Sequence, residues 1–463
     1  MLEKFANIFR IPDLRRRVLF TLAMLFIYRL GGHIPTPGVN ANALEQFFNS
    51  QSGSSLGLVD LFSGGNLRRL TVFALGIMPY ITASIIFQLL TVVYQPLARL
   101  QKEGELGQRK ITQWTRYVTI VLGVVQSLAI ALALQSSSTN LVLNPGPGFV
   151  IMTVLTLTAG TAFVMWLGEQ ITDRGVGNGM SLLIFAGIVV GLPGGIGELI
   201  DTIHTQKFGA FTVPAVVLLV IAMIAVVAFI VYVESAERRL PVQYAKRIVG
   251  RRLMGGQSTH LPLKVNSGGV MPIIFAASVL SAPLLFAESA FVRNSGPLTR
   301  IFNALAPGEP WYEFLYIVSI IFFAYFYISI VFRPDDIADN MRKYGGFIPG
   351  IRPGKRTSDY VNDILTRITL VGAIYLVLVA LIPQLLISGI HLNHLPLVGS
   401  FFEHLPLWVT NGMGFNFYFG GTSLLIVVGV AMDTVNQVEA QLIMRHYEGF
   451  SARSGRTRGR RAW

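Results

Sequence analysis

Apolar residues in this 463-residue chain are gathered into blocks of about 20 that carry almost no charge. A block of that length, folded as a helix, crosses about 30 Å of hydrocarbon. Strands that cross a membrane would instead alternate with a period of two over segments of about ten residues. The pattern therefore predicts an all-α membrane protein with ten transmembrane helices, at residues 18–37, 71–94, 117–136, 149–168, 180–200, 213–233, 268–287, 311–331, 365–387 and 418–437.

Charge content and placement agree with this class. Only 13% of the residues are charged, whereas soluble domains carry about a quarter. Cytoplasmic segments between spans are enriched in Lys and Arg, and with the N-terminus inside, all but six of the 37 Lys and Arg residues lie in inner segments. The exceptions are Arg29, Arg68, Arg69, Lys207, Arg293 and Arg300. We therefore expect both termini in the cytoplasm and interpret the net charge of +13 as a topology signal with some anionic lipid contact.

A short internal repeat divides the chain. Residues 76–86 read GIMPYITASII and residues 269–279 read GVMPIIFAASV, with five of eleven positions identical. One copy lies in the second predicted span and the other in the seventh, so five spans per half give the two copies opposite directions. This favours an inverted duplication, with a working site near the midplane between the halves; a chance match of apolar sequence is the alternative. The halves are an N-terminal one at 1–200 and a C-terminal one at 201–463.

The segment 57–70, GLVDLFSGGNLRRL, is too polar to span the bilayer. It holds a short apolar turn, a Gly-Gly break and two arginines. Such a segment reaches membrane depth only where protein or water covers its backbone. The residues alone leave two interpretations open, a re-entrant plug helix and an ordinary exterior loop.

Catalytic and energy-coupling groups are absent from the predicted spans. Residues 350–357, GIRPGKRT, have three residues between the glycines and Arg after Lys, so they do not form a phosphate-binding loop. The central thirds of the ten spans contain no charged residue other than Arg29, whereas ion-coupled transporters place Asp, Glu or His there. We expect Glu234 and Glu313, at span ends, to reach water. With no cysteine in the chain, disulfides and thiolate metal sites are excluded. We expect no enzyme, no cofactor and no metal; an inverted-repeat secondary transporter of a small solute is the alternative to a passive pore.

Two long inner loops, at 234–267 and 332–363, combine basic residues with aromatics and prolines. Loops that only anchor a membrane protein need a few charges. These loops predict a docking surface for an acidic or nucleic-acid-bearing cytoplasmic partner, with lipid headgroup contact as the alternative. The basic tail 445–463 could contact lipid, ribosomal RNA or nothing.

Four motifs resemble the SecY family of translocation channels, in its bacterial branch. They are YAKRIVGRR with QSTHLPLKVN (244–266), GFIPGIRPGKRT (346–357), GEQITDRGVGNGMSL (168–182) and FYFGGTSLLIVVGVAMD (417–433). The resemblance extends over essentially the whole chain. It implies a channel for unfolded polypeptide in the bacterial inner membrane, built from two inverted five-helix halves. It also implies a plug after the first span and a lateral gate between the second and seventh spans.

The resemblance also implies site residues. A pore ring of branched apolar side chains, which would form a dewetting constriction, comprises Ile81, Ile85, Ile188, Ile274 and Ile426. The lateral gate comprises Gln88, Gln126 and Ser278, and the plug comprises Leu58, Asp60, Leu61 and Phe62. Docking of the SecA motor and of ribosomes is assigned to Arg251, Arg252, Arg352, Lys355 and Arg356. The implied partners are SecA, SecE, SecG, ribosomes, signal peptides and preproteins.

Overall fold

A computed structural model describes residues 11–40, 63–136, 141–205, 212–244, 247–249, 252–254, 258–287, 309–388 and 421–453, with a few isolated residues between them. These residues form two compact units. The first contains the described residues of Met1–Ser50, Val59–Gly191 and Val430–Trp463, and the second those of Leu192–Gly429.

The first unit is helical. Its elements are α1 (Pro12–Gly31), α2 (Met78–Val93), α3 (Gln95–Lys102), α4 (Glu105–Ser136), α5 (Pro147–Arg174) and α6 (Gly179–Val190). Helix α4 packs against α2 and α5, and α5 also packs against α1 and α6. Glycines permit these close approaches: a Cβ on Gly160 of α5 would lie 1.9 Å from the Val72 carbonyl oxygen.

The second unit combines helices with small sheets. Its elements are α7 (Leu192–His204), α8 (Thr212–Ser235), β1 (Glu237–Tyr244), β2 (Arg247–Val249), β3 (Arg252–Met254), β4 (Ser258–Lys264), α9 (Met271–Ala287), α10 (Pro310–Val331), α11 (Pro334–Lys343), β5 (Gly346–Phe347) and α12 (Lys355–Ser388). Helix α10 packs against α9 and α12. The last helix, α13 (Gly421–Arg453), contributes residues to both units.

Each of the ten predicted spans overlaps a helix, although the first, at 18–37, overlaps only part of α1 and the fifth, at 180–200, is divided between α6 and α7. In the described part of the chain, seven helical segments are long and apolar enough to cross a membrane, and the pair α2 and α3, bent by 99°, makes an eighth. The seventh predicted span corresponds to α9, whose described apolar part is shorter, and the first to α1. The prediction of an all-α membrane protein is confirmed, with short strands added in its inner loops.

The start of the second predicted span was wrong by seven residues. Residues 71–77 form turns, and α2 begins at Met78. Gly76 has a φ of +55°, which side-chain-bearing residues rarely adopt, and Pro79 occupies the first turn of the helix, where its missing N–H costs nothing. Gly269 has a φ of +57° before α9, which begins at Met271. The internal repeat is therefore a repeated local structure: a glycine elbow followed by a helix with proline in its first turn.

Two span-end carboxylates do not reach water as expected. Glu234, at the end of α8, is 8% exposed, and Glu313, in the first turn of α10, is 3% exposed. The chain folds back over Glu234 immediately after α8, where Asn266 hydrogen-bonds to it. Position along a span therefore predicts depth in the membrane, but it does not predict which neighbour covers a side chain.

Candidate functional site

The assigned pore residues are all buried apolar side chains. Ile81 and Ile85 lie on α2 and Ile188 lies on α6, in the first unit. Ile274 lies on α9 and Ile426 on α13, in the second unit. Ile81 and Ile85 share one helix face because they are four residues apart. The closure of these five side chains into one ring stays a prediction.

Of the assigned plug residues, Asp60 is described, whereas Leu58, Leu61 and Phe62 lie outside the described residues. Asp60 is buried and caps the turn that follows it. Its Oδ1 accepts hydrogen bonds from the Arg68 backbone N–H, at 2.9 Å, and from the Ser63 hydroxyl, at 3.3 Å. Burial raises the pKa of the Asp60 carboxyl above its ordinary value of 3.8, against the lowering effect of the Arg68 backbone and side chain.

Asn66 ties the same segment to α1. Its Nδ2 donates to the Ser63 carbonyl oxygen at 2.6 Å and to the Tyr28 hydroxyl at 3.4 Å. The Tyr28 ring stacks on Phe73, with ring centroids 5.8 Å apart, and Phe73 stacks on Phe163 of α5. The described part of segment 57–70 is therefore an ordered structure held by side-chain hydrogen bonds and aromatic packing, which is more than an exterior loop requires.

A glycine contact fits this segment against α6. Gly64 has a φ of +72°, and a Cβ placed on it would lie 2.6 Å from Gly187 Cα and 3.0 Å from the Gly187 carbonyl oxygen. Backbone atoms cannot yield as a flexible side chain can, so residue 64 must be glycine for both its conformation and its fit. The adjacent Gly65 has a φ of +78° with no atom within 4 Å of its hypothetical Cβ. Because Gly187 precedes Ile188, the segment lies directly beside an assigned pore residue.

Two of the three assigned gate residues, Gln88 and Ser278, make hydrogen bonds within the helices that carry them. Gln88 Nε2 donates to the Ser84 hydroxyl at 3.2 Å on α2, and the Ser278 hydroxyl donates to the Ile274 carbonyl oxygen at 2.7 Å on α9. Gln126 on α4 is buried, and its Oε1 accepts no hydrogen bond from the described residues. A seam formed by the three side chains stays a prediction.

Strands of the two inner loops share a three-stranded sheet in the order β4-β1-β5, which the sequence did not predict, and β2 pairs with β3 in a separate two-stranded sheet. Strand β1 pairs antiparallel with β4, from Glu237 opposite Lys264 to Gln243 opposite Ser258. On its other edge β1 pairs with β5 of the second loop. Leu240, Val242 and Leu263 of the sheet pack on a buried cluster contributed by the second loop and α12, namely Met341, Ile348, Val361, Ile364, Leu365 and Ile368. Burial alternates along the second half of β1, where Leu240 and Val242 face the cluster.

The assigned docking residues lie on and near this structure. Arg352, Lys355 and Arg356 are exposed. The backbone carbonyl of Arg352 accepts a hydrogen bond from the Thr357 hydroxyl at 2.9 Å, which fixes the turn that enters α12. Arg252 belongs to β3, and Arg251 lies outside the described residues. The exposed cations of the second loop therefore stand on an ordered base that can hold a partner's anionic groups in register.

No group of His, Cys, Asp and Glu suited to a metal ion occurs among the described residues. The residues missed by sequence reasoning are those that hold segments together, above all Tyr28 with Asn66 and Glu234 with Asn266. Both asparagines stand within three residues of a glycine, which was the one sequence signal for a constrained turn.

Comparisons with known proteins agree with one another. The SecY family model matches residues 71–435. A Streptomyces griseus protein called protein translocase subunit SecY is 46% identical, over 97% of this chain and 100% of that protein. The Mycobacterium bovis protein of the same name is 45% identical over the same shares.

Solved structures show the same fold. A structure described as a protein conducting channel has a TM-score of 0.62 and 17% identity, over 93% of each chain. Sec61 in a canine ribosome-channel complex has a TM-score of 0.58 and 16% identity, also over 93% of each chain.

Proposed function

Because the chain belongs to the SecY family, we propose that it is the central pore-forming subunit of a Sec translocon. It passes unfolded secretory proteins across the membrane and releases membrane proteins sideways into lipid. The observation that carries this proposal is the 46% identity to a protein translocase subunit along nearly the whole chain. The family is one of channel subunits and not of enzymes, and the small-solute transporter is not favoured.

In this proposal two inverted halves, 1–200 and 201–463, enclose the pore. Ile81, Ile85, Ile188, Ile274 and Ile426 form a ring that excludes ions, because branched apolar side chains dewet a narrow constriction. The segment 57–70 seals the outer side, and its internal hydrogen bonds support this role. The gate opens between α2 and α9, and the matching glycine elbows at Gly76 and Gly269 support a paired role for these helices.

The gate residues Gln88, Gln126 and Ser278 make a seam that is easily broken. Polar contacts between helices in lipid contribute about 0.6 kcal/mol each on average. A signal peptide can therefore separate the helices at small cost, and the seam closes again when the peptide leaves.

The inner loops dock SecA and ribosomes, and SecE and SecG complete the assembly. Arginine suits such docking because its planar guanidinium binds carboxylate or phosphate with two hydrogen bonds. The relative found in a ribosome-channel complex supports the ribosome assignment. The protein is a multi-pass membrane protein; we place it in the bacterial inner membrane with both termini cytoplasmic, and anionic lipids contact its inner basic residues.

Reconstitution tests the function. Liposomes containing the protein with SecE and SecG would receive SecA, ATP and a secretory preprotein, and protease protection of the preprotein would be measured. We expect ATP-dependent protection. Absence of protection, in vesicles with confirmed assembly and orientation, would contradict the proposal and direct attention to solute uptake.

The variant Arg352→Glu tests the docking assignment in the same assay. The side chain is exposed, so we expect the fold to be intact and SecA-driven transport to be abolished. Arg109→Glu is a matched control, because Arg109 is also exposed and belongs to neither docking loop. Normal transport by Arg352→Glu would contradict the assignment.

A further inference from the structure

The sheet of β1, β4 and β5, called the docking sheet from here on, is joined to α9 by a short connection that several hydrogen bonds hold in place. Strand β4 ends at Lys264 and α9 begins at Met271. Beyond the last paired residues of the sheet, the Val265 N–H donates to the Ala236 carbonyl oxygen at 3.0 Å. The ladder between the two strands therefore continues to the point where the chain turns into α9.

Asn266 uses both hydrogens of its side-chain amide at this point. Its Nδ2 donates to Glu234 Oε1 at 2.6 Å and to the Gly269 carbonyl oxygen at 3.1 Å. Asn266 and Glu234 are 5% and 8% exposed. Hydrogen bonds to a charged acceptor in a buried site are the stronger kind. One side chain thus links the end of α8, the base of the sheet and the elbow that starts α9.

A glycine elbow joins the end of the docking sheet to α9. Gly269 has a φ of +57°, and its N–H donates to the Asn266 carbonyl oxygen at 3.3 Å. The first unit has the same elbow at Gly76, where the N–H donates to the Phe73 carbonyl oxygen at 2.9 Å. Among the described residues, only the elbow at Gly269 is joined to a sheet.

The docking sheet packs on buried side chains of α12. Leu240 and Leu263 belong to a buried cluster that includes Val361 and Leu365 of α12. A Cβ on Gly372, further along α12, would lie 2.8 Å from the Val265 carbonyl oxygen. Densely packed elements shift as bodies and do not deform continuously. A displacement of the docking loops therefore reaches residues 265–269 through connected contacts.

We propose that Asn266 and Glu234 are positioning residues that couple the cytoplasmic docking surface to α9, so that a docked partner biases the start of this gate helix. The inference rests on the proposed function and names the residues through which docking would act.

Three variants test the coupling. Asn266→Asp removes both amide donors and places a second carboxylate beside Glu234. Glu234→Gln keeps an acceptor oxygen for Asn266. The double variant, Glu234→Gln with Asn266→Asp, restores one hydrogen bond with donor and acceptor exchanged. Ser267→Ala is the matched control, because Ser267 is the half-buried neighbour of Asn266 and, among the described residues, its hydroxyl donates only to the Lys264 carbonyl oxygen, three residues before it.

Each variant would be reconstituted with SecE and SecG and measured for SecA affinity and for ATP-driven preprotein protection. For Asn266→Asp we expect SecA affinity within about twofold of wild type and transport lower by about tenfold or more, as expected for loss of a buried hydrogen bond to a charged group. Ser267→Ala should transport normally, Glu234→Gln should lose less transport than Asn266→Asp because it keeps a hydrogen bond to a neutral acceptor, and the double variant should recover most of the loss. Normal transport by Asn266→Asp, a parallel loss of SecA affinity, or no recovery in the double variant would each overturn the coupling.

Amide hydrogen exchange over residues 265–274 reads the coupling without transport. SecA binding should change exchange there in wild type and not in Asn266→Asp. An exchange response in wild type without any transport would support the coupling while contradicting the proposed function. No response in wild type would overturn the coupling even if transport is normal.

Discussion

The contact between Gly64 and Gly187 allows a quantitative test of the plug. In Gly64→Ala the new Cβ has two costs. The backbone φ of +72° costs a side-chain-bearing residue about 1–2 kcal/mol. The approach to Gly187 Cα, at 2.6 Å, and to its carbonyl oxygen, at 3.0 Å, adds an overpacking cost of about 1–3 kcal/mol. Together these destabilise the seated segment by about 2–5 kcal/mol.

Gly65→Ala is the matched control. Gly65 has a similar φ of +78°, but no atom lies within 4 Å of its hypothetical Cβ. It therefore has the backbone cost alone, about 1–2 kcal/mol. Since about 1.4 kcal/mol is a tenfold change in an equilibrium, the ratio of seated to unseated segment should fall by about 5- to 30-fold in Gly65→Ala and by about 30- to 5,000-fold in Gly64→Ala.

Ion conductance of the reconstituted protein without preprotein is the assay. In the proposed channel an unseated plug would leave only the proposed apolar ring to exclude ions, so Gly64→Ala should leak more than Gly65→Ala, and both more than wild type. Equal leaks would show that the fit against α6 contributes nothing. A tight Gly64→Ala channel would contradict the seating itself.

Three further predictions concern other parts of the molecule. Burial raises the pKa of Asp60 above 3.8, so the contribution of Asp60 to plug seating is full below pH 3.8 and is lost as the pH rises through the raised pKa. The ion leak should therefore increase with pH in wild type and not in Asp60→Asn. An ion leak that falls as pH rises would contradict this reasoning. Ile348→Ala, in the buried cluster under the sheet, should destabilise the docking surface by about 2–5 kcal/mol, seen as faster proteolysis of the inner loops, while Ile337→Ala at the edge of the cluster should have a smaller effect. Arg116 Nε lies 2.7 Å from Glu169 Oε1, but the arginine side chain is 47% exposed. A double-mutant cycle to alanine should therefore give a coupling energy below about 1 kcal/mol. A much larger coupling energy would indicate a desolvated ion pair.

Hydropathy predicted the membrane helices well because each span is a local property of the sequence. The ten apolar segments overlap helices, and the repeated Gly-x-Met-Pro sequence at 76–79 and 269–272 stands at the beginning of two helices. The error at residues 71–77 has a physical cause. These residues are apolar, as a span requires, but they are buried by other protein segments in turns and do not continue the helix.

The docking sheet and the plug seating could not be predicted because they depend on partners distant in the chain. Strand β1 contains Pro241 and several charges, so its strand character comes from pairing with β4 and β5. Gly64 is required by Gly187, and Asn66 by Tyr28. Glu234 is buried because Asn266 covers it. The contacts of Gly64, Asn66 and Glu234 each join residues more than 30 positions apart, and a hydropathy window does not detect such contacts.

The sheet has a consequence for the order of events during synthesis. Strands β1 and β4 belong to one hairpin and can pair as soon as the chain has emerged to Lys264. Strand β5 and the supporting residues of α12 emerge only after α9 and α10 have been made. The nascent protein therefore has an incomplete platform for cytoplasmic partners until most of its own membrane insertion is finished. The proposed docking surface is therefore complete only after the helices α9 and α10, which separate its two loops, have been made.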